Sequence, residues 1–511
     1  MNNLTHQSSE LSTLSPQWTD DSSNSDDDFQ LFFVTSYSDF SSLAHGPRGS
    51  EAPQSLYVYR FNPADGSLVL LNIQGDAKTV MNPAFSRYHP QKNVVYTCTE
   101  DCINNGKIFA YKLGPDGSLE QIGDAIDAGG TSTCYLTIDR EHKNMLAVNY
   151  WDSTLAVIPM DTKTGALQGP IKHMYDPKQG QKMMAAHGGC NHSNNDDSTI
   201  QLRQADPHSH ALVLDPFVGT VAYVPDLGKD LIREFYYDAN EGKIAMEMNI
   251  LPSGLCTGKP DGPRYFEFHP KFNIGYVVNE LSSTIAVFEV DRKLLNEIQK
   301  ASKHGEDMSR FKGRSTLRLV QSIATIPSAF PNLMNTCGRI CVHRSGRFVA
   351  VSNRGHQSIT IYKVKMSGPR RGELTTVGYF HTRGETPRHF QFDNSGQYLL
   401  VANQDSDSIA VFNFNLSNGD LKYSGNEYRV PSPNFICCCP THYDDTHTTT
   451  ATPTEVESTV LARKTSDASD SDDSTMQSRR VLQKGNEREL LDELDKARAE
   501  IAELKRQLEA K

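Results

Sequence analysis

Five ionisable residues stand at matched points of an internal repeat in this 511-residue chain: His210, Arg264, Glu280, Arg354 and Arg388. A repeat that serves only as scaffold puts Asn, Ser or apolar groups at such points, so unlike charged residues there mark a site. Three arginines with one carboxylate and one imidazole suit an anionic substrate, because a guanidinium donates through a planar fork that matches phosphate or carboxylate. The carboxylate and the imidazole add groups able to move protons. A purely structural reading competes with this one, in which Glu280 and an arginine form a polar network closing a channel.

The matched points emerge when the repeat is laid on itself. A unit of two strands, a tight turn, a third strand and Asp-x-x-x-Gly-x-Leu begins with FFVTSY and SLYVYRFNPADGSL (32 to 68) and recurs seven times. The last copy is HFQFDNSGQYLLVANQDSDSIAVFNFNLSNGDL (389 to 421). Glu100, Tyr150, Asp226, Glu280, Arg354 and Gln404 end the second strands, while Ala84, Cys134, His210, Arg264 and Arg388 open the first strands. A period near ~50 residues with about four short strands matches a propeller blade, whose sheet covers its faces only by packing on neighbouring blades. An all-β, seven-bladed β-propeller over residues 31 to 440 follows. The first copy lacks an opening strand, and SPNFICCC (432 to 439) is a strand without a following repeat, so the C-terminal strand is expected to complete the first blade. Cys437, Cys438 and Cys439 are then strand residues.

Composition agrees. Apolar residues make up 37% of the chain, with 35 Gly and 25 Pro to supply turns, which favours short strands over long helices. Residues 1 to 30, with six acids and no Lys or Arg, are expected to be disordered. Two insertions, 170 to 206 and 292 to 316, are expected to decorate one face of the ring. His187, Cys190 and His192 in the first match no four-ligand spacing, so no metal or cofactor is expected. Residues 441 to 485 form a Ser/Thr/Asp linker, and 486 to 511 a short coiled-coil helix, its seam running through Leu490, Leu494, Ala497, Ile501, Leu504 and Leu508. Self-association through 487 to 511 is one reading of that seam, and a solvated or docked helix is the other. The propeller body is charge-balanced, 40 acids against 40 bases, which gives no electrostatic reason for nucleic-acid binding. No apolar run is long enough to span a bilayer and the N-terminus lacks a leader pattern, so a soluble, cytoplasmic protein with reduced thiols is expected.

The runs RQADPHSHALVLDP (203 to 216), GPRYFEFHP with NELSSTIAVF (262 to 288), SNRGHQSITIY (352 to 362) and TPRHFQFDNSGQYLLVANQDSDSIAVF (386 to 412) resemble the propeller-type lactonases. That family includes bacterial 6-phosphogluconolactonase and the fungal carboxymuconate-lactonizing enzyme. The resemblance covers residues 31 to 440 and implies a site of His210, Arg264, Glu280 and Arg354, with Arg388 and His208 in matching motifs. It departs at Tyr265, where the family pattern has a second histidine after Gly-Pro-Arg. Hydrolysis of a small anionic lactone needs a delivered water, an oxyanion stabiliser and a handle on the substrate. On that basis Arg354, Arg388 and His208 bind substrate, Glu280 orients or deprotonates water, and His210 with Arg264 serves the oxyanion and the leaving hydroxyl. The roles of Glu280 and His210 are open to exchange, since nearby arginines weaken a carboxylate as a base while an imidazole near ~6.5 suits neutral pH. Cyclisation of a carboxymuconate on the same residues, and a non-catalytic partner platform, remain the rival readings.

Overall fold

The computed structural model describes residues 30–177 and 203–440. The acidic N-terminal stretch, the linker, the heptad segment and the His187, Cys190, His192 group lie outside the described residues. Inside them, seven antiparallel sheets follow one another along the chain. Six have four strands, and the second gains a fifth where Ile126–Thr131 pairs with Asn105–Leu113. The expected closure is present: Pro433–Pro440 pairs with Gln30–Ser36, placing Cys437 opposite Phe33. It also packs between the opening strands of the second and seventh blades, Pro83–His89 and Pro387–Phe392. One blade therefore uses both ends of the propeller chain.

Burial is greatest at the second strand of each blade, while the first strands keep partly exposed residues toward the channel. The second strands, such as Val94–Thr99, Asn144–Asn149 and Ile274–Asn279, are buried at every residue. Covered on both faces by neighbouring blades, they read as continuous apolar, β-branched runs. An outer strand such as Leu374–His381 has one wet face, and its burial alternates residue by residue.

A repeated hydrogen bond latches four of the blades to the blade before. Asn149, Asn279, Asn353 and Asn403 end their second strands, and each donates Nδ2 to a backbone carbonyl at the outer edge of the preceding blade: Ala128, Ser253, Thr325 and Thr382, at 2.9 to 3.1 Å. A buried amide left unpaired is costly, so this bond pins the end of the strand. The next residue, Tyr150, Glu280, Arg354 or Gln404, is thereby fixed at the channel mouth.

Strand parity corrects the expectation that both insertions share a face. Residues 292 to 316 join a third strand to a fourth, on the side away from the mouth. There the helix Arg292–Lys303 buries Leu294, Leu295, Ile298 and Ala301 against Tyr223, Phe266 and Phe288. Residues 178 to 202 of the first insertion lie outside the described residues, and its described ends, after the fourth strand His173–Tyr175 and before the next first strand, lie on the mouth side. Its last part, Arg203, reaches Glu280.

No described helix is long and apolar enough to cross a membrane. Eight described cysteines are free.

Candidate active site

Two local devices aim side chains into the channel. Pairing of the first strands shifts register between Pro83 and Phe85, between Pro263 and Tyr265, and between Pro387 and His389. Ala84, Arg264 and Arg388 are the extra residues, and a bulge of this kind turns a side chain away from the ladder. Proline just before each one suits this, having no N–H to give the ladder. In the sixth blade the matching residue is Gly338. A Cβ there would lie 2.6 Å from Ser352 Oγ and 2.9 Å from the Arg388 carbonyl. The glycine leaves its own carbonyl open to Arg264 Nη1 at 3.4 Å.

Glu280 is the hub of one half of the mouth. Its Oε1 accepts from Arg203 Nη2 at 2.6 Å and lies 2.9 Å from Arg354 Nη2, while Oε2 accepts from Arg264 Nε at 2.8 Å. Burial by itself would raise this carboxyl, but Arg203, Arg354 and Arg264 together hold it well below the usual carboxylate range. A buried carboxylate with both oxygens occupied is an ionised anchor for guanidinia and a weak base. Arg354 also donates to the Cys337 carbonyl at 2.6 Å, yet its Nε has no partner. Burial and then the neighbouring arginines bring its pKa down to about 10, against the pull of Glu280. That guanidinium stays charged at neutral pH and lacks a full set of acceptors.

His210 borders the same hub. Its Nδ1 is buried without a partner, and its ring meets Tyr150 and Tyr265 edge to face at 5.2 and 5.5 Å. Burial, followed by Arg264, pushes its pKa well below the ordinary value, so the ring is neutral at pH 7. His208 faces elsewhere. Its Nδ1 bonds the Tyr150 carbonyl at 3.2 Å, its backbone N–H bonds Asp226, and its ring stacks on Tyr150 at 4.7 Å.

A second carboxylate, Glu100, stands at the equivalent strand end on the second blade. Tyr37 donates its hydroxyl to Oε2 at 2.8 Å, Arg388 Nη2 stands 3.6 Å from Oε2, and His45 Nδ1 stands 3.7 Å from Oε1. Four arginines thus face two glutamates across the mouth, leaving it net positive. Sequence reasoning gave no role to Arg203, Glu100, Tyr37 or His45. Tyr37 was findable, because FFVTSY of the first blade aligns with YTCTE of the second and puts Tyr37 where Glu100 stands. Arg203 lies in a motif already noticed, whereas the loop residue His45 carries no sequence signal.

Beneath the mouth the channel closes. Glu100, Cys134, His210, Arg264 and Arg388, with Tyr265, His389 and Phe435, bound a cavity of about 20 Å³, room for one water. Its floor is aromatic: Phe85 lies 4.4 Å from Tyr135 and 4.7 Å from Phe435 between ring centroids, and His389 stacks on Phe435 at 3.8 Å.

These features define a seven-bladed propeller with a cationic, proton-active mouth. The family model described as lactonase, 7-bladed beta-propeller, matches residues 32–438, and the chain belongs to that family. Lactone hydrolysis is the activity that this family supports. Among curated relatives, a 6-phosphogluconolactonase of Formosa agariphila is 26% identical over 373 residues, 72% of this chain and 90% of the relative. A 6-phosphogluconolactonase of Bacillus subtilis is 28% identical over 355 residues, 69% of this chain and 86% of the relative. Among solved structures, a periplasmic gluconolactonase of Pseudomonas aeruginosa matches with TM-score 0.62 and 22% identity, covering 81% of this chain and 100% of that one.

Proposed function

We propose that this protein hydrolyses 6-phospho-D-glucono-1,5-lactone to 6-phosphogluconate, the lactone-opening step of the pentose phosphate pathway. The observation that carries the reading is the surplus of buried positive charge at the mouth, with Arg354 Nε unpartnered. A phosphate dianion matches that surplus, and a neutral lactone does not. Arg354 and Arg388 hold the phosphate. Arg264 and the neutral His210 stand where the carbonyl oxygen gains charge, and hydrogen bonds aimed at that charge lower the barrier. Glu280 keeps three guanidinia in place. His208 supports the wall through Tyr150.

The test is turnover of freshly made 6-phosphogluconolactone beside gluconolactone and carboxymuconate, corrected for spontaneous opening. One phosphate contact through charged hydrogen bonds is worth about 1.5–3 kcal/mol, so kcat/KM should favour the phosphorylated lactone by at least ~10-fold. Arg354→Lys should raise its KM about 10-fold while leaving gluconolactone nearly unaffected. Preference for the muconate would replace this reading with the cyclase, and inertness toward all three would favour a partner platform.

A further inference from the structure

His45 lies in the loop between Gln30–Ser36 and Leu56–Asn62, and its ring meets Tyr37 edge to face at 5.2 Å. Behind its Nδ1 stands Glu100 Oε1 at 3.7 Å, and the same carboxylate is held by the Tyr37 hydroxyl and faced by Arg388. The side chain is 31% exposed, yet its Nε2 is shut off from bulk water and has no partner. Besides Glu100 and Tyr37, the charged groups acting on the ring are Arg388, Arg354, Arg264 and Glu280, which places it beside the guanidinium cluster.

We propose, on the lactonase reading above, that His45 is the general base and then the general acid of the reaction, with Glu100 and Tyr37 as positioning residues behind it. Glu280 has both oxygens occupied. His210 has no carboxylate hydrogen-bonded to its ring among the described contacts. His45 combines a buried ring nitrogen that has no hydrogen-bond partner with a carboxylate 3.7 Å from its other nitrogen, a relation that can orient an imidazole and stabilise the imidazolium it becomes. The 3.7 Å separation is longer than a hydrogen bond, and such contacts are often loose before substrate binds.

The step balances with water as the only co-reactant. Nε2 of His45 takes a proton from water as the water oxygen bonds to the lactone carbonyl carbon. Arg264 and His210 hold the oxyanion. Its collapse restores the C=O bond and breaks the bond from the acyl carbon to the ring oxygen, which takes the proton from His45 and leaves as a hydroxyl. The new carboxyl group ionises into solvent.

Burial first, then Arg388, Arg354 and Arg264, keep the His45 pKa well below the ordinary imidazole value, so the free protein holds it in the neutral form that accepts a proton, though as a weaker base than a free imidazole. A bound phosphate offsets those guanidinia and makes the imidazolium easier to form. The acid limb of kcat, which reports the complex, therefore lies at higher pH than the acid limb of kcat/KM, which reports the free enzyme.

The experiment compares the full chain with His45→Gln, His45→Ala and Glu100→Gln on 6-phosphogluconolactone across pH. His45→Gln should lower kcat by about 10²-fold or more and abolish the acid limb. KM should stay within about threefold, the pattern of a group used only in the transition state. Glu100→Gln should cost about 10-fold, and imidazole added to His45→Ala should restore turnover. Melting checks that each variant is folded. Wild-type turnover in His45→Gln overturns the inference and leaves the lactonase reading standing, as does an intact acid limb with no rescue by imidazole. A wild-type protein that opens no lactone overturns both.

Discussion

Glu100 and Glu280 follow the same strand of the repeat, in the second and fifth blades, and have opposite surroundings. Three guanidinia hold Glu280, two at one oxygen and one at the other. A phenol, an imidazole and one guanidinium face Glu100. The repeat sets where a side chain enters the channel and leaves its charge environment to whichever loop or neighbouring blade arrives. Arg203 comes from an insertion and His45 from a loop, so the two halves differ because of segments that are not repeated. One half becomes a charged clamp. The other is free to move protons.

Removing the charge from each glutamate is the strongest way to break this comparison. Glu280→Gln strands three buried or half-buried guanidinia, and breaking a buried pair costs about 3–5 kcal/mol. Its unfolding free energy in denaturant should drop by that amount and lactone turnover should fall to background. Glu100→Gln leaves one guanidinium, Arg388 at 3.6 Å, without its carboxylate where Glu280→Gln leaves three, so its stability should fall by less, about 1–2 kcal/mol. Equal losses in the two variants would erase the distinction.

A pH scan of the melting temperature sharpens it. His45, His210 and His389 are held well below the ordinary imidazole value, first by burial, and burial brings His89 down to about 4. Between about 6.5 and those folded values the unfolded chain binds protons that the native protein does not, so stability falls as pH falls through this window. Glu280 acts lower: its folded value lies below the unfolded one near 4.5, so its contribution is full above that and is lost as pH drops further. The melting temperature should decline from about pH 6.5 and steepen below about 4.5. A flat profile between those points would falsify the picture of buried neutral imidazoles.

The smallest expected effect belongs to Tyr37→Phe, which deletes one hydrogen bond to Glu100 and leaves the ring in place. A loss of about 0.5–1.5 kcal/mol corresponds to a kcat reduced about two- to tenfold, with KM unchanged. No change in kcat would reduce Tyr37 to a wall residue.

Much of the fold was legible because blades repeat. Central strands covered on both faces are apolar nearly throughout, and Asn recurs at the end of four of them, where it latches one blade to the previous one, as at Asn279 and Asn353. The closure of the first blade by Pro433–Pro440 was readable as a missing strand at one end and a spare one at the other. His210, Arg264, Glu280, Arg354 and Arg388 were found because they break a pattern, and the structure gathers them at one mouth. The shared face expected of the two insertions failed because strand parity, more than composition, decides on which side a loop emerges.

The sequence by itself determined the propeller, its seven blades and the register that turns Arg264 and Glu280 inward, since all three follow from local periodicity and from repetition. Tertiary structure alone decided which charges meet. Glu280 is 16 positions from Arg264 but 77 from Arg203, and Tyr37 is 63 from Glu100. Pairings over such separations arise only when the ring closes and non-repeated loops settle on it. That closure is also what buries the carboxylates and imidazoles, and burial sets which of them holds a charge.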